Sequence, residues 1–198
     1  TRTRSLDCTL IQRDATRPQP AAGLCGSGVI STVAELLRAG VITKSGSFDP
    51  AFKSPCLQPG RNGTLAFEIV SGQEARNGRP IVLTQADVRA VQLAKGALRA
   101  GIELLCRENN IQRPSKLLLA GAFGSYINKA DALCIGMLPE MPAEDIEVVG
   151  NAAGAGAVLA LCDDTQIGAS EDLARRARVF DLAAHPDFQN TFIEHLSF

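Results

Sequence analysis

The chain has 198 residues, of which 45% are apolar, with no tryptophan and one tyrosine. This length fits one domain with a sizeable core, and the composition indicates an α/β protein rather than a β-sandwich. The net charge is −1, from 20 basic and 21 acidic residues, and no basic patch indicates a nucleic-acid partner. No apolar run approaches the ~18 residues of a membrane span, and no signal peptide is recognisable.

The cysteines and histidines offer no metal or catalytic arrangement. The closest pair of the six cysteines, Cys8 and Cys25, is 17 positions apart, so no Cys-x-x-Cys motif exists. Several of them lie in apolar helical patterns, where we expect buried, reduced thiols of a cytoplasmic protein. His185 and His195 lack a metal-ligand context and are predicted to be structural or surface residues. The sequence therefore predicts neither a metal site nor a catalytic residue.

The N-terminal part predicts a strand and then a glycine-rich helix start. Residues 8–12 fit a strand, and because Thr1 leads straight into it, we expect the chain to be part of a longer protein. Glycines in residues 23–28 precede a helix predicted to end near Ala39, with Gly40 as its cap. Backbone N–H groups at a helix start favour an anion, whereas the alternative is close packing on a sheet. The pattern alone leaves both interpretations open.

The segment that follows, residues 43–83, is rich in turn signals and predicts an inserted meander. Asn62-Gly63 indicates a hairpin that leads into a strand at residues 65–70, and residues 80–83 form a second extended piece. A meander of this kind is more often architecture than chemistry.

A long helix is predicted from a capping box at residues 84–87 to about Arg107. We expect its buried face to consist of Val91, Ala94, Leu98, Ile102 and Leu105. The opposite face consists of Gln92, Lys95, Arg99 and Glu103. This polar face is predicted either to be solvated or to form one wall of a ligand cleft, in which Gly96 leaves room for a flat ring.

The stretch that organises the second half of the chain is a strand–glycine–helix junction. Residues 117–119 predict a short strand buried on both faces. A glycine turn at residues 121–124 then allows a tight bend and the close approach of a ligand. A helix is predicted from about Ile127, with Gly136 as its stop.

A second junction of the same kind follows. Residues 146–149 predict a strand that breaks at Gly150-Asn151 before a helix at residues 152–161. Gly154 and Gly156 cost that helix ~1 kcal/mol each, and close contact with another helix or a ligand would explain them. Two successive junctions fit neighbouring parallel strands whose ends face one crevice, where open α/β proteins bind nucleotides. Two further helices are predicted at residues 170–178 and 186–196.

Four motifs together resemble a known nucleotide-binding architecture. They occur in the order expected for the second half of an ASKHA (acetate and sugar kinase/Hsp70/actin) domain. The motifs are GLCGSGVISTVAELLRAG, VRAVQLAKGALRAG, LLLAGAFGS and VVGNAAGAGAVLAL. Several segments are similar to the C-terminal domain of reductive activators of corrinoid proteins. They are QLAKGALRAGI, LLLAGAFGSYIN, GNAAGAGA and the C-terminal HPDFQNTFIEHLSF. That family includes activating enzymes of O-demethylases and of methyltransferase systems in anaerobic methyl metabolism. The resemblance covers residues 23–198.

The resemblance implies a fold and a function. The fold would be an RNase H-like α/β subdomain, a mixed sheet with helices on its faces, forming one domain over residues 1–198. The function would be to bind ATP or ADP with Mg²⁺ in an activator that restores Co(I) in a corrinoid protein from inactive Co(II). The implied partner is the corrinoid protein of a methyltransferase system, with a homodimer as a candidate assembly, and neither nucleic acid nor a membrane is implied.

The resemblance also implies nucleotide-binding residues by position. Glycines and small residues would admit the base, while Lys95 and Arg99 would offer donors to ribose or phosphate oxygens. The full set is Gly26, Ser27, Gln92, Lys95, Arg99, Gly121, Ala122, Phe123, Gly124, Ser125, Gly150 and Asn151.

The sequence departs from the full activator pattern. The first phosphate loop, the Asp-containing hairpin of the second loop and the cysteines of a [2Fe–2S] domain are not found in it. We therefore expect half of a nucleotide site and no redox centre. Two alternatives stay open: a fragment of an ASKHA sugar or acid kinase, and a non-catalytic interaction domain of the same fold.

Overall fold

The computed structural model describes residues 19–60 and 63–198. The chain divides into two compact units, Thr1–Leu93 with Ser197–Phe198 and Ala94–Leu196. The predicted strand at residues 8–12, Cys8 and Asn62 lie outside the described residues.

The first unit combines one helix with a small antiparallel sheet. Helix α1 (Gly26–Arg38) precedes strands β1 (Leu57–Pro59), β2 (Leu65–Val70) and β3 (Ile81–Thr84). The strands pair antiparallel in the order β1-β2-β3. The predictions of a strand at residues 65–70 and of an extended piece near residues 80–83 are confirmed.

Helix α1 ends as its sequence predicts. Gly40 has a positive φ of 76°, and the N–H of Val41 donates to the carbonyl of Leu36 at 2.9 Å. This turn folds Val41 and Ile42 back onto the helix, where both are buried. The predicted glycine cap is thus confirmed, and it closes the core that Val33 and Ala34 begin.

A polar clamp holds the loop after α1 against the first turns of α2 (Gln85–Glu108). The guanidinium of Arg89 donates to the Ser45 carbonyl at 2.8 Å and to Gln92 Oε1 at 2.6 Å. Gln92 Nε2 donates to the same carbonyl at 3.1 Å. Gly46 has a φ of +83°, and a Cβ there would lie 2.3 Å from Gln92 Oε1. Only glycine fits this position without displacing the clamp.

The second unit contains a parallel strand pair, β4 (Leu117–Ala120) and β5 (Ile146–Gly150). Around it stand the remainder of α2, a 3₁₀ turn at Ala143–Asp145 and five shorter helices. These helices are α3 (Gly121–Tyr126), α4 (Lys129–Cys134), α5 (Ala152–Cys162), α6 (Asp164–Arg176) and α7 (Phe188–Glu194). The predicted α/β fold with parallel and antiparallel strands is confirmed, and the strands among the described residues form two separate sheets.

The predicted faces of α2 were mostly wrong, although Val91 is buried as predicted. Gln92 and Lys95, placed on the polar face, are only 3% and 2% exposed, whereas Leu98 and Leu105 are 46% and 44% exposed. The packed side of α2 instead follows residues at i, i+4 spacing. Its fully buried members include Val88, Ala100 and Leu104. Apolar residues surround most of the helix, so periodicity alone did not identify the packed side.

The small residues of α2 explain this outcome. A Cβ at Gly96 would lie 3.2 Å from the carbonyl oxygen of His195 and 3.4 Å from the Phe192 ring. A Cβ at Gly101 would lie 3.1 Å from Leu182. The C-terminal segment therefore packs directly on α2. The room at Gly96, predicted to admit a flat ligand ring, is occupied by α7.

Several boundaries also differ from the prediction. A helix begins directly at Gly121 rather than near Ile127, and α4 starts separately where Asn128 Oδ1 accepts from the N–H of Ala130 at 2.9 Å. Helix α6 begins at Asp164, six residues early, because the Asp163 carboxylate caps it through the N–H of Thr165 at 2.9 Å. The predicted stop at Gly136 is confirmed by its φ of +68°.

The expected burial of β4 and of the cysteines was also wrong. Leu118 in β4 is 58% exposed, because β4 has one partner strand and one covered face among the described residues. Of the described cysteines, Cys25 and Cys162 are exposed and the others are half-buried, and all are free thiols.

A hydrogen bond fixes α7 to α2. His195 Nε2 lies 2.7 Å from Glu103 Oε2, and Arg107 contacts the other oxygen of the same carboxylate. Burial raises the pKa of Glu103, but the hydrogen bond from His195 and the charge of Arg107 outweigh it, so that this pKa lies below its ordinary value.

Replacing His195 with alanine is expected to lower the free energy of unfolding by about 1–2 kcal/mol, since a hydrogen bond to a charged group is lost. Urea unfolding at neutral pH measures the change. Asn190→Ala is the matched control, because Asn190 lies on the exposed side of α7. Equal stability of the two variants would contradict a role for the pair.

Helix α5 has an unusual surface. Its sequence, AAGAGAVLALC, is apolar all around, yet no residue of it is buried. Val158 and Leu159 are each 59% exposed, and Leu161 is 86% exposed. Among the described residues, no helix is both long and apolar enough to cross a membrane.

Candidate functional site

The two predicted strand–glycine–helix junctions lie side by side. Strands β4 and β5 run parallel, with Ala120 opposite Gly150 at their carboxyl ends. Helix α3 starts at Gly121, directly after β4, and α5 starts at Ala152, two residues after β5. The expectation that both junctions open at one edge is confirmed. The carboxyl edge of parallel strands is where open α/β proteins bind ligands.

Bare backbone forms the floor of this edge. Gly121 has a φ of +87° and Gly150 a φ of +65°, a conformation that side chains rarely adopt. A Cβ built on either glycine would meet no atom within 4 Å. The space in front of both residues is therefore open, and a flat group could approach the main chain.

The rest of the first junction mixes structural and accessible residues. Gly124 is buried, and a Cβ there would lie 3.2 Å from the backbone of Leu119, so glycine is needed for α3 to pack on β4. Ser125 is exposed, and its hydroxyl donates to the Gly121 carbonyl at 3.0 Å. Ala122 and Phe123 belong to α3, and their side chains lie outside the described part of the structure.

At the second junction, Asn151 is the N-cap of α5. Its Oδ1 accepts from the N–H of Gly154 at 3.0 Å. A Cβ at Gly154 would lie 2.4 Å from Asn151 Nδ2, so the cap explains this glycine without any ligand. Gly156 has nothing near it, and the structure gives no reason for it.

Lys95 and Arg99 are successive cations on one side of α2. Lys95 is buried, and a Cβ at Gly136 would lie 3.4 Å from its Nζ. Burial, with the nearby charge of Arg99, lowers the pKa of Lys95 to about 8. Lys95 is therefore mostly protonated at pH 7. Arg99 lines a separate cavity formed by residues that precede β4 and β5.

The remaining predicted site residues belong to the first unit. Gln92 is engaged by the clamp that includes Arg89 and Ser45. Gly26 and Ser27 form the first turn of α1, where Gly26 is exposed and Ser27 is half-buried.

Cys25 is the N-cap of α1, a role that was not predicted from the sequence. Its sulfur accepts from the N–H of Gly28 at 3.3 Å and lies 3.3 Å from the Ser27 hydroxyl. The hydrogen bond with Ser27, followed by that from Gly28, lowers the pKa of this exposed thiol. Its position just before the helix was the available signal, but cysteine is not among the preferred caps.

Within each unit the structure thus brings some of the predicted residues together. Residues 121–125 share one edge with Gly150 and Asn151. In the described ranges, no three His, Cys, Asp or Glu side chains are grouped so as to hold a metal ion. The arrangement offers a flat group a backbone surface, with helix starts beside it, and it offers no carboxylate cluster.

Comparison with known proteins agrees with this geometry. A family model described as the C-terminal domain of RACo, the ASKHA domain, matches residues 1–198. The chain belongs to this family. The resemblance to reductive activators of corrinoid proteins and the predicted ASKHA fold are therefore confirmed.

Two relatives illustrate the family. The corrinoid activation enzyme RamQ of Eubacterium limosum is 36% identical over 191 residues, covering 92% of this chain and 32% of that protein. A solved structure of a reductive activator for corrinoid, iron-sulfur protein has a TM-score of 0.81 and 31% identity, covering 88% of this chain and 28% of its own. The chain thus spans about a third of the length of these relatives.

Proposed function

We propose that this RACo-type domain is the nucleotide-binding part of an ATP-dependent activator that restores Co(I) in a corrinoid protein from inactive Co(II). The proposal rests on the neighbouring positions of the two glycine junctions. At the carboxyl edge of the paired strands, the main chain at Gly121 and Gly150 faces open space. The two relatives, a corrinoid activation enzyme and a reductive activator, suggest the reaction class and the corrinoid partner.

In this proposal the chain's own residues bind and orient the nucleotide. Residues 121–125 contact the base, while Gly150 and Asn151 close the pocket from β5. For Gly26, Ser27 and Gln92, which belong to the first unit, a role in nucleotide binding stays a prediction from the resemblance. Lys95, mostly protonated at pH 7, attracts phosphate or ribose oxygens. These groups position a ligand and perform no bond-breaking step.

The residues described fit a nucleotide better than they fit its metal. The open space at Gly121 and Gly150 suits a flat base, but the described side chains provide no carboxylate group for Mg²⁺. The described residues therefore suit binding of a nucleotide rather than its hydrolysis. Mg²⁺ binding, hydrolysis and a [2Fe–2S] centre are proposed to belong to other parts of a full-length activator.

A second candidate is an interaction domain, which the exposed apolar surface of α5 favours. In that case the ASKHA fold serves to bind a partner, such as the corrinoid protein or a second copy of the chain, and adenine nucleotides do not bind. The two candidates are separated by a single titration.

Isothermal titration with ADP tests the nucleotide proposal. Gly150→Asn is expected to weaken binding at least tenfold, about 1.4 kcal/mol, because its side chain enters the open edge. Asparagine tolerates the positive φ of 65° at this position, so the fold is retained.

The matched control is Gly78→Asn, since Gly78 has the same φ of +65° and open surroundings. This control is expected to bind ADP as the wild type does. Absence of ADP binding by the wild type, or unchanged binding by Gly150→Asn, would contradict the proposal. The interaction domain would then be the remaining candidate function.

A further inference from the structure

A cavity of about 740 Å³ lies on the second unit, apart from the glycine junctions. It is lined by the last turns of α2, by residues 110–114 and by Pro139 and Glu140. Residues 110–114 precede β4, and Pro139 and Glu140 precede β5, so the cavity lies toward the amino ends of the strands. Gly121 and Gly150 lie at the carboxyl ends, roughly 13 Å away along four residues of strand. The cavity and the proposed nucleotide edge are therefore distinct.

The cavity contains a cation that has no hydrogen-bond or ion-pair partner among the described residues. Arg107 pairs with Glu103, and Arg113 lies 3.7 Å from Asp145. Arg99, which is half-buried, makes no hydrogen bond or ion pair within the part of the chain that the structure describes. A guanidinium in such a place is favourable when an anion fills it.

The neighbouring charges strengthen this argument. Lys95 stands one turn before Arg99, close enough that the two positive charges repel each other. An anion beside Arg99 would relieve this repulsion. The carboxylate of Glu103, which also lines the cavity, is already occupied by Arg107 and His195. No hydrogen bond or ion pair joins this carboxylate to Arg99.

The walls of the cavity are partly apolar. Ile102, Ile111, Pro114 and Pro139 provide hydrocarbon surface around the charged groups. The volume falls within the range of small-molecule sites, about 300–1,000 Å³. The matching ligand has a compact apolar body and one anionic group.

We propose that this cavity binds a small organic anion, whose phosphate or carboxylate pairs with Arg99 and whose flat apolar body lies between Ile102, Ile111 and the two prolines. The ligand class follows from the apolar walls and from the guanidinium of Arg99, for which the described residues provide no hydrogen bond or ion pair. This site goes beyond the proposed nucleotide function and does not depend on it.

Residue-resolved alkylation of the full chain tests the proposal, because Cys106 lines the cavity and Cys162 lies exposed on α5. The probes are phenyl phosphate and benzoate. Inorganic phosphate is the control for the anionic group alone, and phenol is the control for the aromatic ring alone. At least one of the two organic anions is expected to slow alkylation of Cys106 severalfold and to leave Cys162 unchanged. Which of them acts more strongly distinguishes a phosphate from a carboxylate ligand.

Charge variants make the test specific. Arg99→Gln is expected to weaken protection of Cys106 about tenfold, and Arg99→Lys to restore part of it. Arg178→Gln is the matched control, because Arg178 is exposed and lies away from the cavity. Circular dichroism checks that each variant is folded.

The proposal is overturned if neither organic anion protects Cys106, or if Arg178→Gln weakens protection as much as Arg99→Gln does. It is also overturned if inorganic phosphate protects as well as phenyl phosphate, since the apolar walls would then have no role. Protection of Cys106 by ADP would support this cavity. An NMR titration with ADP tests the proposed nucleotide edge separately. Unchanged signals of Gly121 and Gly150 would contradict that edge, so the two proposals can fail independently.

Discussion

Replacing Gly46 with alanine is expected to lower the free energy of unfolding by about 3 kcal/mol. Part of this, about 1–2 kcal/mol, is the cost of a Cβ at a φ of +83°. The rest, about 1–2 kcal/mol, comes from moving Gln92 away from Arg89 and the Ser45 carbonyl, since its side chain would meet the new Cβ at 2.3 Å. Denaturant unfolding monitored by circular dichroism measures the change.

Gly40 provides the matched control for this prediction. It has a similar φ of +76° but nothing within 4 Å of an added Cβ, so Gly40→Ala shows the backbone cost alone. In a Gln92→Ala background, Gly46→Ala is expected to cost no more than Gly40→Ala does. If the two glycine variants are equally unstable in the wild-type background, the clamp has no energetic importance.

The second large effect concerns the buried ammonium of Lys95. Its pKa is lowered from 10.5 to about 8, so the folded state disfavours the charged form that the unfolded chain retains up to pH 10.5. The unfolded state therefore binds more protons between these values, and stability rises with pH across this window. The expected gain relative to Lys95→Met, in which the charge is absent, is up to about 3 kcal/mol.

Urea unfolding of the wild type and of Lys95→Met, from pH 8 to 10.5, measures this difference. Titration of all other groups occurs in both proteins and cancels in the comparison. Lys53→Met serves as the control for the loss of an exposed lysine, and its stability is expected to run parallel to that of the wild type. Parallel curves for the wild type and Lys95→Met would show that burial of Lys95 does not disfavour its charge.

Much of the fold was predictable because it depends on local signals. Both strand–glycine–helix junctions follow from short apolar runs that end at glycine, and Gly40 and Gly136 mark helix ends through their positive φ. The early start of α6 was missed because its cap, Asp163, is followed by a polar sequence in which no apolar period is visible.

Tertiary packing decided the rest. The sequence of α2 carries apolar residues on most sides, and only the contacts of Gly96 and Gly101 with the C-terminal segment show which side is packed. The neighbouring positions of Gly121 and Gly150 could be predicted, since parallel strands align their carboxyl ends. The cavity around Arg99 could not, because its residues come from three separate stretches of chain with no common motif.

The apolar surface of α5 also affects how firmly that helix is held. It has no buried residue, and its two glycines each cost a helix about 1 kcal/mol. Its start is capped by the hydrogen bond from the N–H of Gly154 to Asn151 Oδ1 at 3.0 Å. Unravelling α5 would consequently expose little surface that water does not already reach, so this stretch can change conformation while β4 and β5 stay paired.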